Sequence, residues 1–262
     1  LMTREVVQRL KRAGIRRVEV GLEGCKAETH EFLRNTPGCF EATLRGIRNC
    51  VEMGFDEVCA TMTLHSRNFD ELRGTVELAE KLGVSRFYLN RLIPAGRGRD
   101  VIDLDVTRQQ KIEALEYIYG KFYDSAVKGE GIQCYARGMT YYGRLGFEQS
   151  ESTVFTVSEA LSGYSRIWRG KSGGGLSDIV RSFAPGFGGC SAGITYAGLT
   201  AGGDLLPCVP APIKLGNLLE EDLEDLWVNS ELLNYIRRRD ELKGACGMCI
   251  FDSICGGCRY TA

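Results

Sequence analysis

Thr3-Arg4-Glu5-Val6-Val7-Gln8-Arg9-Leu10-Lys11-Arg12-Ala13-Gly14-Ile15-Arg16-Arg17-Val18-Glu19-Val20-Gly21-Leu22 reads as a helix, a glycine stop and a β-rich run. The helix spans about Thr3 to Ala13. Gly14 supplies the left-handed residue that ends it, and Arg16 to Leu22 comes next as a strand. The same unit recurs twice. A helix over about Phe40 to Met53 stops at Gly54 and leads into Glu57-Val58-Cys59-Ala60-Thr61-Met62-Thr63. A third helix opens at Asn68, whose side chain is placed to cap while Glu71 reaches back. It stops at Gly83 before Ser85-Arg86-Phe87-Tyr88-Leu89.

Strands alternating with helices at this spacing predict parallel βα units, because parallel neighbours need a crossover. Loops at the C-terminal ends of such strands build the site. Here they are Glu23-Gly24-Cys25, Leu64 to Asn68 and Asn90 to Gly98. A further helix is predicted from a Thr107/Gln110 capping box to Val127, with a strand over Ile132 to Tyr135. Between about Ser150 and Gly189 the pattern decays around Ser172-Gly173-Gly174-Gly175, which predicts a linker or a substrate-covering segment. One more helix is predicted over about Asp222 to Asp240. The fold class expected is α/β: a partial parallel βα barrel over 1–135, a linker over 136–189, and an irregular Cys-rich module over 190–262.

The composition narrows the function. The 262 residues are 44% hydrophobic and 26% charged, with 33 Lys+Arg against 34 Asp+Glu. That is a globular composition with no basic field, so nucleic acid is not an expected partner. No apolar run approaches the roughly 18 residues of a spanning helix, so no membrane role is expected.

Eleven cysteines are many for such a chain, and four fall within thirteen residues: Cys246, Cys249, Cys255 and Cys258. An odd count, no signal peptide and tight clustering argue against a secreted disulfide framework and for a cytoplasmic, metal-ligating role. Only His30 and His65 are present, both remote in sequence, so the ligands are expected to be thiolates holding an iron–sulfur cluster or zinc. Cys190 and Cys208 add Cys-x12-Gly-x4-Cys, and the cluster itself is Cys-x2-Cys-x5-Cys-x2-Cys.

Those spacings, with Gly203-Asp204-Leu205-Leu206-Pro207-Cys208, Leu215-Gly216-Asn217-Leu218, Leu226-Trp227, Ser230 and Cys255-Gly256-Gly257-Cys258-Arg259, resemble a SPASM module. That is the auxiliary iron–sulfur domain of radical S-adenosylmethionine (SAM) enzymes. The first hundred residues independently resemble the later part of the radical SAM barrel. Val18 to Gly24 is similar to the family's strand ending in a Ser-Leu-Asp-Gly type turn. His30-Glu31-x-x-Arg34 and Gly38-Cys39-Phe40 match the family's segment after that strand. Thr63-Leu64 with Asn68, Glu71 and Leu72, and Pro94-x-Gly96-Arg97-Gly98, match its next two loops. The family's Cys-x3-Cys-x2-Cys loop does not occur in this sequence, and its last Cys would fall beyond position 262. The resemblance therefore predicts a fragment of a larger enzyme, inactive by itself.

What the resemblance implies is an enzyme that generates a 5′-deoxyadenosyl radical for C–H abstraction, with [4Fe-4S] clusters and S-adenosylmethionine as cofactors. It implies Cys190, Cys208 and Cys258 on one auxiliary cluster, with either Cys134 as fourth ligand or an open iron facing substrate. Cys246, Cys249 and Cys255 fall on a second. It implies Gly21, Glu23, Arg34 and Asn68 around the cofactor. Gly21 offers no hydroxyl where the family commonly has Ser, and Asn68 reads more simply as a helix cap. Cys25 and His65, in strand-end loops, are the catalytic candidates. Cys39, Cys50 and Cys59 read as packing, Trp227 as a helix anchor, and Arg237-Arg238-Arg239 as a solvated helix face.

For the substrate, Lys243-Gly244-x-Cys246-Gly247-x-Cys249 through Cys258-Arg259 most resembles members that modify heme and heme d1 precursors. The resemblance implies a tetrapyrrole substrate and an electron donor such as ferredoxin or flavodoxin. The alternative is a ribosomal-peptide maturase forming a thioether or other crosslink. Val209, following Cys208, argues against the sulfatase-maturing branch. An alternative of another class is a zinc-binding interaction module.

Overall fold

A computed structural model describes residues 2–137, 192–194, 196–238, 242–248 and 257–258. Two compact units separate, Leu1–Leu92 with Val101–Gly170 and Ile93–Asp100 with Lys171–Ala262.

The first unit is built on four parallel strands, β1 (Arg17–Gly21), β2 (Glu57–Leu64), β3 (Arg86–Arg91) and β4 (Gln133–Arg137), in the spatial order of the sequence. The crossovers carry α1 (Arg4–Arg12) before β1, α2 (Ala27–Arg34) and α3 (Cys39–Glu52) before β2, α4 (Leu72–Lys81) before β3, and α5 (Arg108–Tyr123) before β4. The expected repeat is present. Gly14, Gly54 and Gly83 take φ of 87°, 68° and 78° at the three helix stops. Thr3 caps α1 by accepting from the Val6 amide, and the Thr107/Gln110 capping box opens α5. The short α2 is not among the elements that the sequence pattern predicts; it is only eight residues long and lacks a side-chain cap of its own.

Alternation along the strands sorts the sheet into two faces. Val58, Ala60, Met62, Leu64, Phe87, Leu89 and Cys134 are fully or almost fully buried on the face that receives the helices. Glu19, Thr61, Thr63, Arg86, Tyr88, Asn90, Gln133, Tyr135 and Arg137 occupy the other. Glu19 of β1 and Arg137 of β4 meet across two intervening strands. Three strand spacings in a flat sheet are roughly 14 Å, so the sheet curls toward this face.

The second unit contains a small antiparallel sheet, β5 (Gly198–Leu199), β6 (Asp204–Leu206) and β7 (Gly216–Asn217). Buried Asn217 ties it together: Nδ2 donates to the Gly202 carbonyl and to Asp204, and Oδ1 accepts from the Leu219 amide. The single helix expected over Asp222 to Asp240 is two, α6 (Leu223–Asn229) and α7 (Glu231–Arg237). Ser230 breaks it, leaving helical geometry (ψ 117°) while its Oγ caps α7 by accepting from Leu233. Arg237 is not merely solvated, since it donates to the carbonyls of Gly193 and Trp227 and lies over the Trp227 ring. A short α8 (Gly244–Gly247) carries Cys246. Beyond Arg137 the linker expected at 136–189 lies outside the described residues. Among the described residues no helix is long and apolar enough to cross a membrane.

Candidate cofactor and cluster sites

The loops after β1 and β2 are wired to each other. Glu23 is buried, with Oε1 accepting from Arg34 at 2.7 Å and Oε2 accepting from the Thr63 amide at 2.7 Å. Burial pushes its carboxyl up, against the pull of the Thr63 amide and Arg34. Gly21 is what admits Arg34, because a Cβ there would overlap the guanidinium. The hydroxyl missing at position 21 is thus replaced by a cation, whose side chain remains 44% exposed.

Asn68 is fully buried and does not cap a helix. Its Oδ1 accepts from the His65 amide, while Nδ2 donates to the carbonyls of Glu23 and Thr63. The chain enters α4 through a 3-10 turn, Phe69–Glu71, in which Glu71 also departs from its expected role. Rather than reaching back, Glu71 crosses to the α2 entry. There it accepts from the amides of Cys25 and Lys26 and from the Thr29 hydroxyl. Lys26, at the α2 N-cap, has no side-chain cap of its own, so Glu71 supplies the acceptor from elsewhere.

Cys25 donates its thiol to Glu71 and packs against Gly74. Burial and the Glu71 charge push the thiol pKa up, so it stays protonated at neutral pH. The two histidines are buried and neutral. His30 Nδ1 accepts from the Glu23 amide and Nε2 faces the Thr43 hydroxyl; burial lowers its pKa to about 4. His65 Nδ1 accepts from the Arg67 amide, which puts the proton on Nε2. That N–H has no acceptor among the described residues.

The curled face away from the helices holds residues that sequence reasoning missed. Arg137 makes a bidentate pair with Glu19 at 2.8 and 3.0 Å and lies 3.5 Å from the centre of the Tyr88 ring. Tyr88 stacks with Tyr135 at 5.6 Å, and its hydroxyl accepts from Arg17. Arg86 pairs with Glu57 at 2.9 Å and donates to Gln133. The available signal was the every-second-residue spacing of charged and aromatic side chains in runs otherwise read as core. Cys59 shares this polar side and donates to Glu57; it is buried, with its thiol pushed up to about 11 by burial.

Of the six expected cluster ligands, Cys208, Cys246 and Cys258 are described, and Cys190, Cys249 and Cys255 lie outside the described residues. Cys208 is buried with Ala192, two residues after Cys190 in sequence, and with Ala211. Gly257, before Cys258, takes a φ of 60°, the left-handed conformation that favours glycine, and lies beside the Cys246 sulfur. Cys134 is fully buried in register with Phe87, and burial pushes its thiol up to about 12. Among the described residues no three Cys, His or acidic groups form a metal cage.

Residues 1–79 match the Radical SAM superfamily, and residues 190–250 match the SPASM iron–sulfur cluster-binding domain. An AdoMet-dependent heme synthase of Methanosarcina barkeri is 30% identical over 262 residues, all of this chain and 67% of that protein. The mycofactocin maturase MftC of Mycobacterium tuberculosis is 27% identical over 98% of this chain and 56% of its own length. The crystal structure of Streptococcus suis SuiB bound to the precursor peptide SuiA superposes with a TM-score of 0.63 at 17% identity. It covers 98% of this chain and 52% of SuiB. The chain thus spans between half and two thirds of the proteins it resembles.

Proposed function

The chain belongs to the radical SAM superfamily and carries a SPASM iron–sulfur domain, and from that premise we propose that the protein containing it is an oxidoreductase modifying tetrapyrrole side chains. One observation carries the reading: the 30% identity to a heme synthase runs through all 262 residues, the parallel sheet and the Cys-rich unit alike. Its cofactors are S-adenosylmethionine and iron–sulfur clusters, which when bound supply the one-electron chemistry that removes hydrogen from an unactivated C–H bond.

The chain's own residues fit these groups. Arg34, half-exposed and aimed by Glu23, would meet the carboxylate of S-adenosylmethionine with a planar fork suited to bidentate contact. Gly21 makes the space for that arrangement. Glu23 and Asn68 act one step back, since their polar atoms are spent in holding the two loops. His65 is fully buried with its Nε2–H sealed from solvent, and Cys25 keeps no thiolate. Cys190, Cys208 and Cys258 would ligate one cluster and Cys246, Cys249 and Cys255 another. Cys134 is not assigned, because it is fully buried on the face of the parallel sheet that receives the helices, in register with Phe87.

The proposal extends to the division into a barrel part (1–135), a covering segment (136–189) and the cluster module (190–262). It also extends to a cytoplasmic setting, with a ferredoxin or flavodoxin as electron donor. A second reading, peptide maturation, is favoured by the likeness to MftC. Anaerobic titration with a siroheme-type tetrapyrrole and with short peptides separates them: tetrapyrrole binding without peptide binding is expected, and the reverse would overturn the ranking. Iron and acid-labile sulfide in near-equal amounts exclude the zinc interaction module; stoichiometric zinc without sulfide would restore it.

A further inference from the structure

Arg137 makes two separate contacts. Its guanidinium lies 3.5 Å from the centre of the Tyr88 ring, and its two terminal nitrogens donate to the two oxygens of Glu19. Tyr88 is itself fixed, being almost fully buried, stacked on Tyr135 and held at its hydroxyl by Arg17. The ring therefore positions the cation whether or not Glu19 is present. The pair is open to exchange, because the Arg137 and Glu19 side chains remain 42% and 39% exposed. On the same face Glu57 is shared between Arg17 and Arg86, and Glu23 pairs with Arg34. Among the described residues, four guanidinium groups there (Arg17, Arg34, Arg86 and Arg137) thus face three carboxylates (Glu19, Glu23 and Glu57).

We propose that Arg137, stacked on Tyr88, is the receptor for a carboxylate of the substrate, and that Glu19 is an internal placeholder the substrate displaces. The exchange keeps the bidentate geometry on Arg137, and the displaced Glu19, its side chain 39% exposed, turns to water, which hydrates its charge. The inference rests on the tetrapyrrole reading, whose substrates carry propionate arms.

The test titrates the full chain anaerobically with hemin and with hemin dimethyl ester, following the tetrapyrrole absorbance. Arg137→Gln should weaken hemin about tenfold or more, the loss of a charge-assisted bidentate contact, and leave the ester unchanged. Glu19→Gln should tighten hemin by about two- to fivefold, because the half-exposed competitor is gone. Opposite signs for the two variants support the exchange. Weakening by both, equally for acid and ester, would show that the pair is only a brace across the curled sheet and would overturn it. Unchanged hemin binding in Arg137→Gln would also overturn it. Should Arg137→Gln fail to fold, the sign of the Glu19→Gln effect decides. Wild type that binds neither form but binds an acidic peptide removes the tetrapyrrole reading itself, a result distinct from the other failures.

Discussion

At residue 21 the absence of a side chain is occupied by someone else's: the Arg34 guanidinium fills the place a Cβ would take on its way to Glu23. Gly21→Ala should therefore dislodge Arg34 and leave a buried carboxylate short of its cation. Since Arg34 is nearly half-exposed, the cost is discounted to about 1–3 kcal/mol in denaturant unfolding. The double variant Gly21→Ala/Arg34→Ala should cost little more than either single change, because both break one interaction. Fully additive costs would show that the two residues act independently. The histidines set a pH dependence. The folded pKa of His30 is about 4 against 6.5 in a free side chain, and that of His65 is lowered as well. A depressed histidine pKa means the unfolded chain takes up protons first, so stability is full above pH 6.5 and falls as the pH drops. For His30 the loss amounts to about 3 kcal/mol by pH 4. Glu23, whose carboxyl pKa is raised by burial, acts in the opposite sense. Urea unfolding of His30→Gln should show the fall in stability below pH 6.5 reduced.

Among the elements, the junction of the β1 and β2 loops depends on two side chains that belong to neither α2 nor α4. Glu71 closes the start of α2 through three acceptor contacts, and Asn68 joins the Glu23, Thr63 and His65 backbones. Glu71→Ala should cost about 1–3 kcal/mol by leaving the Cys25 and Lys26 amides unpaired. Asn68→Ala strands a backbone amide and two carbonyls in a fully buried place. About 2–4 kcal/mol is expected, with faster hydrogen exchange at His65 than in the strands. Equal protection at His65 in the variant and wild type would remove Asn68 as the latch. Both residues are conspicuous in the sequence, yet local spacing assigns both the wrong partner. An Asn followed three residues later by Glu before an apolar run is the pattern of a helix entry. Here the 3-10 turn reorients both side chains toward the neighbouring loop, a long-range outcome that local spacing does not encode. Ser230 is the converse case. Its capping was available in the sequence, and it divides what the apolar pattern alone joined.

For the molecule as a whole, the two units should respond differently to loss of metal. Among the described residues, those of the Cys-rich unit include few buried apolar side chains, whereas the four-stranded sheet holds an extensive core. Anaerobic chelation, or Cys208→Ala with Cys249→Ala, should lower iron and sulfide together and expose 190–262 to protease. The strand-and-helix signal of the first unit should stay unchanged. Loss of that signal on chelation would mean the sheet depends on the clusters.

What the sequence determined by itself is the order of elements, the parallel pairing and the family. Each comes from local chemistry: glycines with positive φ at three helix stops, alternation in the strands, and thiols at two-residue spacing. The pairing of Arg34 with Glu23, the crossing of Glu71 to α2, and the meeting of Arg137 with Glu19 across 118 positions were decided by tertiary structure. These contacts depend on the curl of the sheet and on which face each charge occupies. A charged residue in a strand looks the same in sequence whether solvent or a partner three strands away receives it.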